Sequence, residues 1–169
     1  DQCLLRSGAA PGERLCMSGT LGDAAAGLSL LRGELVATDP TDTAFLTARF
    51  LRPTARIPLG ESLRGVATAA IDISDGLIAD STHLAKKSGV ALQIDHRLLP
   101  RSTAFSAVVE PSQQLAYLLS GGDDYELLFT LPQSVQLPEG CTEIGRVMAG
   151  SGVSCDGMSA VGGYDHFGH

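Results

Sequence analysis

Ala69-Ala70-Ile71-Asp72-Ile73-Ser74-Asp75-Gly76-Leu77 is the stretch on which the fold of this chain turns. Its first half is an apolar, strand-like run. Its second half sets two carboxylates on either side of a hydroxyl, then a glycine, then a helical pattern. A strand that ends in Asp72, Ser74 and Asp75 and turns into a helix presents hard oxygen ligands beside the free N–H groups of the helix start. That arrangement suits a divalent metal held against a phosphate. Ser and Asp are also favoured helix caps, so the motif alone carries both readings.

The segments around it set the fold class. Residues 67–73 read as a buried strand. Residues 77–87 read as an amphipathic helix with Leu77, Ser81, Leu84 and Ala85 near one face and Gly89 as its stop. Upstream, residues 14–18 are strand-like and residues 24–31 form a buried helix closed by Gly33. Residues 41–51 form a second helix, capped by Asp39 or Thr41 with Pro40 near its start. Pro53 and Pro58 forbid its continuation, and residues 60–65 read as a short helix or turn. Downstream come a strand at 90–94, helices at 102–109 and 112–119, and strands at 125–130 and 143–147. The Gly- and Ser-rich tail after Met148 is expected to be irregular. Strands mixed with helices, without strict βαβ alternation, predict an α+β fold in which helices pack in layers on a mixed sheet.

A length of 169 residues with 44% hydrophobic and 18% charged residues fits one globular domain with a full core. No apolar run reaches the ~20 residues of a membrane helix, so no membrane partner is expected. A formal net charge of -7 argues against nucleic-acid binding, which needs clustered Lys and Arg. An acidic protein still binds anionic phosphates when divalent metals invert the local charge. Cys3, Cys16, Cys141 and Cys155 show neither CxxC nor metal-ligand spacing and are expected to be free thiols. A cytoplasmic location is the default expectation. The start at Asp1, without an initiator Met, is read as a piece of a longer protein beginning at a domain boundary.

Further candidates lie outside the opening motif. In Gly121-Gly122-Asp123-Asp124-Tyr125-Glu126, paired glycines admit close backbone approach to a ligand. Its adjacent carboxylates must face apart or share a cation, and a solvated turn is the alternative. Ser18-Gly19-Thr20-Leu21-Gly22-Asp23 opens a helix after a strand, as an anion-binding or a structural turn. Arg49, Arg52 and Arg56 form either a phosphate clamp or a solvated basic face. His83 has no partner at ligand spacing and reads as a surface residue. No nucleophile triad, Walker loop or kinase-type glycine loop is present.

Taken together and in order, these motifs resemble the C-terminal domain of the thiamine-monophosphate kinases, in the PurM-like ATP-binding superfamily. The matching stretches are Leu4-Leu5-Arg6-Ser7-Gly8-Ala9, the 18–23 turn, Phe50-Leu51-Arg52-Pro53, the 70–77 motif, Ser120 to Leu127, and Gly163-Tyr164-Asp165-His166-Phe167. The resemblance implies a PurM C-terminal-domain-like fold over residues 1–169, with an N-terminal ATP-binding domain outside the chain. It implies ATP- and Mg²⁺-dependent phosphorylation of thiamine monophosphate to thiamine diphosphate by the full-length protein, expected to be a homodimer. Carried over by position, Asp72 and Asp75 would be Mg²⁺ ligands and Ser74 would touch ATP. Asp123, standing where the family usually has Glu, would contact the thiamine substrate. Phe167 would pack on the substrate, with Tyr164 as the alternative aromatic. No residue is assigned as general base, because the acceptor phosphate is already ionised. Two alternatives accompany this reading. One is a different enzyme of the superfamily, of the phosphoribosyl-aminoimidazole synthetase or hydrogenase-maturation type. The other is a fragment that folds without catalysing.

Overall fold

The computed structural model describes residues 3–156. A six-stranded sheet runs in the order β2-β4-β1-β5-β3-β6. Its strands are β1 (Arg14–Ser18), β2 (Ala69–Ile73), β3 (Ala91–Ile94), β4 (Glu126–Leu131), β5 (Cys141–Met148) and β6 (Gly152–Cys155). The helices are α1 (Asp23–Leu31), α2 (Pro40–Leu51), α3 (Ile57–Ser62), α4 (Leu77–Ser88), α5 (Thr103–Val108) and α6 (Pro111–Ser120). The pairings are antiparallel except β3 with β6, which is parallel. The expected α+β mixed sheet is therefore observed.

Strand alternation divides the core. Leu15 and Met17 of β1, Ala69, Ile71 and Ile73 of β2, and Leu128 of β4 join the larger cluster with Leu77 and Leu84 of α4, Phe105 of α5 and Leu118 of α6. Cys16, Ala70, Phe129 and Leu131 point to the other face, into a smaller cluster with Leu63. Leu77, Ser81, Leu84 and Ala85 are all buried, as their spacing requires, and Gly89 ends α4 in a left-handed conformation at φ 69°. Asp39 caps α2 by accepting the Thr41 N–H at 2.8 Å.

Three expectations are corrected. The tail after Met148 is not irregular over Gly152–Cys155, which pairs with β3, placing Ala91 opposite Gly152 and Ile94 opposite Cys155. Val153 and Cys155 are buried there while their neighbours are exposed. The pairing is supplied by a strand about sixty residues away, so local composition gave no sign of it. The short third helix covers Ile57–Ser62, not 60–65, because Pro58 is tolerated in a first turn. Finally, β4 opens at Glu126 because Tyr125 takes a left-handed conformation at φ 51°. Among the described residues no helix is long and apolar enough to cross a membrane.

Candidate functional site

β2 delivers Asp72 to the end of the sheet, half-exposed and opposite Leu127 of β4, with the Arg6 guanidinium 3.9 Å from its carboxylate. The chain then turns through Ser74, Asp75 and Gly76 into α4. Neither Asp72 nor Asp75 caps that helix: its N-cap is Gly76, without a side-chain cap bond. The turn is held from beneath by Asp80, a buried residue in the first turn of α4. Its carboxylate accepts the N–H of Ser74 at 2.9 Å and of Asp75 at 3.0 Å. Burial pushes the Asp80 carboxyl above its ordinary range, against the opposing pull of these two bonds. The capping alternative is thereby removed, and the exposed Asp75 carboxylate makes no hydrogen bond or ion pair among the described residues.

The second acidic loop lies directly against the first. Asp123 donates its N–H to the Ser74 carbonyl at 2.9 Å, and Tyr125 donates to the Ile73 carbonyl at 2.8 Å. The approach is close enough that a Cβ on Gly122 would stand 2.7 Å from the Ser74 carbonyl oxygen, so Gly122 has to be glycine. Asp123 and Tyr125 are both left-handed, at φ 66° and 51°, a conformation that L-residues adopt at a cost. Between them Asp124 turns inward. It is 1% exposed and accepts the N–H of Gly22 at 2.8 Å and of Ala24 at 3.3 Å. The adjacent carboxylates thus face apart. Burial pushes the Asp124 carboxyl up to about 7, although both backbone bonds oppose the shift.

The 18–23 turn is structural in this arrangement. Its first helical N–H groups are taken by Asp124, and Asp23 accepts the Thr20 hydroxyl at 2.5 Å and the Ser102 hydroxyl at 2.6 Å. Two of the three clustered arginines, Arg49 and Arg56, face inward and form neither a phosphate clamp nor a solvated face. Arg49 and Arg56 both bind the fully buried Glu126, with Arg49 Nη2 at 2.9 Å and Arg56 Nε at 2.7 Å. Ser18 donates its hydroxyl to the same carboxylate. Arg52 is exposed, and so is His83, as expected. The four cysteines are free thiols.

A cavity of about 450 Å³ opens between these loops and α1, lined by Leu28, Arg32, Ser74, Asp75, Gly122 and Asp123 among others. Three of the residues singled out in the sequence, Ser74, Asp75 and Asp123, therefore share one recess, while Asp72 does not line it. The charge of Asp123, followed by smaller contributions that include Asp72 and Asp75, holds the Tyr125 phenol above its ordinary range. The Asp75 carboxylate has no hydrogen bond or ion pair among the described residues and Asp72 has only Arg6, at 3.9 Å; such hard oxygens fit Mg²⁺, which prefers one or two carboxylates plus substrate phosphates. Phe167 and Tyr164 lie outside the described residues. Sequence reasoning missed Asp80, Asp124 and Glu126 as the residues that hold the loops. The first had a visible signal, since it is an acid between Leu77 and Leu84 on the apolar stripe of α4. A further group, Asp95, His96 and Asp156, gathers at the ends of β3 and β6. Arg97 already spans its two carboxylates, 2.7 Å from Asp95 and 3.5 Å from Asp156.

No family model matches the chain. It is 41% identical over 184 residues to the thiamine-monophosphate kinase of Salmonella typhimurium, covering 98% of this chain and 56% of that protein. To the thiamine-monophosphate kinase of Escherichia coli K12 it is 45% identical over 157 residues, covering 93% of this chain and 47% of that protein. Among solved structures, a complex of AaThiL with AMPPCP and TMP superposes with a TM-score of 0.87 at 42% identity, covering 97% of this chain and 54% of the other. The hydrogenase maturation protein HypE of E. coli superposes with a TM-score of 0.63 at 26% identity, covering 94% and 50%. The chain spans about half the length of the curated relatives it matches.

Proposed function

This chain is a relative of the thiamine-monophosphate kinases with a PurM-like fold, and we propose that it forms the C-terminal half of an enzyme that transfers the γ-phosphoryl group of ATP to thiamine monophosphate, giving thiamine diphosphate. One observation carries the reading. The Asp72–Asp75 turn and the Asp123 loop, about fifty residues apart in sequence, are bonded backbone to backbone and open on one recess. In this reading Asp72 and Asp75 hold Mg²⁺, which when bound neutralises the phosphate charge. The Ser74 hydroxyl, without a hydrogen-bond partner among the described residues, touches ATP. Asp123 contacts the acceptor, and Phe167 packs on it.

The rigidity of the two loops suits phosphoryl transfer, which depends on positioning and charge neutralisation more than on a strong nucleophile. Asp80 fixes the direction of the Asp75 carboxylate by binding the backbone of its turn. Asp124 does the same for Asp123 by tying its loop to α1. The acceptor phosphate is ionised and needs no base from this chain. The remaining metal ligands and much of the ATP site belong to the other half of the protein, which also forms the homodimer. The setting is cytoplasmic. The isolated chain is accordingly inactive, because a site shared between domains loses its geometry when one is removed.

The test is turnover of thiamine monophosphate by the full-length protein with ATP and Mg²⁺. Asp72→Ala should abolish it while leaving the unfolding midpoint nearly unchanged, since the Asp72 side chain is 47% exposed. Wild-type turnover in that variant would remove the metal-ligand assignment.

A further inference from the structure

The recess that carries Ser74, Asp75 and Asp123 contains a cationic side chain with no assigned role, Arg32. Arg32 directly follows α1, and its position is set by the way that helix ends. Its N–H closes on the Leu28 carbonyl at 3.0 Å, and the left-handed Gly33, at φ 72°, closes on Leu30 at 3.0 Å. At its other end α1 is tied by Asp124 to the loop that carries Asp123. One helix therefore fixes both Arg32 and the acidic loop it faces across the recess.

The Arg32 guanidinium has no hydrogen bond or ion pair among the described residues. Its acidic neighbour in sequence, Glu34, is occupied by the Ser29 hydroxyl at 3.0 Å. The guanidiniums of Arg6, Arg14, Arg49, Arg56 and Arg97 have carboxylate partners, while Arg52, Arg64 and Arg146, without a partner among the described residues like Arg32, do not line this recess. The other charged groups lining the recess, Asp75 and Asp123, are negative. A ligand that fills it meets carboxylates and a guanidinium together, which suits a molecule that is itself both cationic and anionic. Thiamine monophosphate is such a molecule, with a thiazolium ring and a phosphate.

We propose that Arg32 binds the phosphate of the acceptor and makes this recess select phosphorylated thiamine over thiamine itself. The inference rests on the function proposed above. A guanidinium matches phosphate oxygens with paired donors. An arginine at this place also has an ordinary role, because a cation stabilises a helix C-terminus. The two roles separate experimentally.

Arg32→Ala and Arg32→Lys in the full-length protein are to be compared with wild type by calorimetric titration with thiamine monophosphate and with thiamine, and by steady-state kinetics. In Arg32→Ala the affinity for thiamine monophosphate should fall roughly tenfold, in line with the loss of one charge-assisted contact. Its KM should rise in step, thiamine affinity and the KM for ATP should stay as in wild type, and Arg32→Lys should recover part of the loss. Unchanged affinity for thiamine monophosphate, an equal loss for thiamine, or a loss confined to ATP would overturn the proposal. A lowered melting temperature with unchanged affinity would assign Arg32 to the helix end alone. A wild-type protein that binds thiamine monophosphate without phosphorylating it would refute the reaction while leaving the Arg32 contrast in binding intact. One that does not bind it would refute both.

Discussion

Replacing Asp124 with Asn removes a buried charge and leaves one amide oxygen, which can keep the shorter Gly22 N–H bond but not the Ala24 bond made by the other carboxylate oxygen. In the folded protein this carboxyl titrates at about 7, against 3.8 for an ordinary aspartate, chiefly because burial disfavours its charged form. A carboxyl whose folded value is raised favours the folded state below its unfolded pKa. That contribution is lost as pH rises toward the folded value, because the native state holds the proton longer than the unfolded one. Between about pH 4.5 and about pH 7.5 this one group should therefore cost wild type about 3 kcal/mol of stability that the Asn variant does not lose. Asp23 and Asp80 are also raised by burial and add slopes of the same sign. Both are present in wild type and variant, so the difference between the two proteins isolates Asp124. Urea denaturation at three pH values across this window reads the effect directly. Wild type should weaken with pH more steeply than Asp124→Asn, whose lost Ala24 bond lowers its stability by the same amount at every pH. Parallel stability profiles would refute the assignment of Asp124 as the buried titrating group.

Two further substitutions probe how the loops are held. Gly122→Ala places a methyl group 2.7 Å from the Ser74 carbonyl oxygen. It should cost about 1–3 kcal/mol by overpacking and lower turnover more than tenfold, measured by thermal unfolding and by steady-state assay. Arg49→Met leaves the fully buried Glu126 with Arg56 as its remaining guanidinium. Because Arg56 and Ser18 still bind that carboxylate, the loss should be about 1.5–3 kcal/mol, that of one charge-assisted hydrogen bond, read from the urea midpoint.

How far the sequence revealed this structure depends on how local each cause is. The β2 strand, the Asp72–Asp75 turn and α4 were legible because alternation, a glycine and a helical stripe lie side by side in one stretch. The meeting of that turn with the Asp123 loop was visible only as two separate motifs. Their contact runs through backbone N–H and carbonyl groups, which every residue carries and no residue type announces. Arg49 and Arg56 read as a phosphate clamp or a solvated face because their partner, Glu126, lies seventy or more residues on and was read as part of a strand. Its burial reverses their meaning, from ligand binding to support. The β6 strand escaped notice because it lies in a stretch rich in glycine and serine, and its pairing with β3 is tertiary. Asp80 was the one hidden residue that the pattern exposed in principle. A carboxylate on an apolar helical stripe needs a partner, and here the partners are the amides of the site itself.

In the proposed function these two loops form one wall of a metal-bound phosphate site. Amide NMR of the full-length protein, with Mn²⁺ in place of Mg²⁺ and ATP present, tests it directly, because the paramagnetic ion broadens only nearby resonances. The amides from Asp72 to Asp75 and from Gly121 to Asp123 should broaden selectively, an effect lost in Asp72→Ala. Broadening at Asp95, His96 and Asp156 instead, with the two loops unaffected, would contradict it.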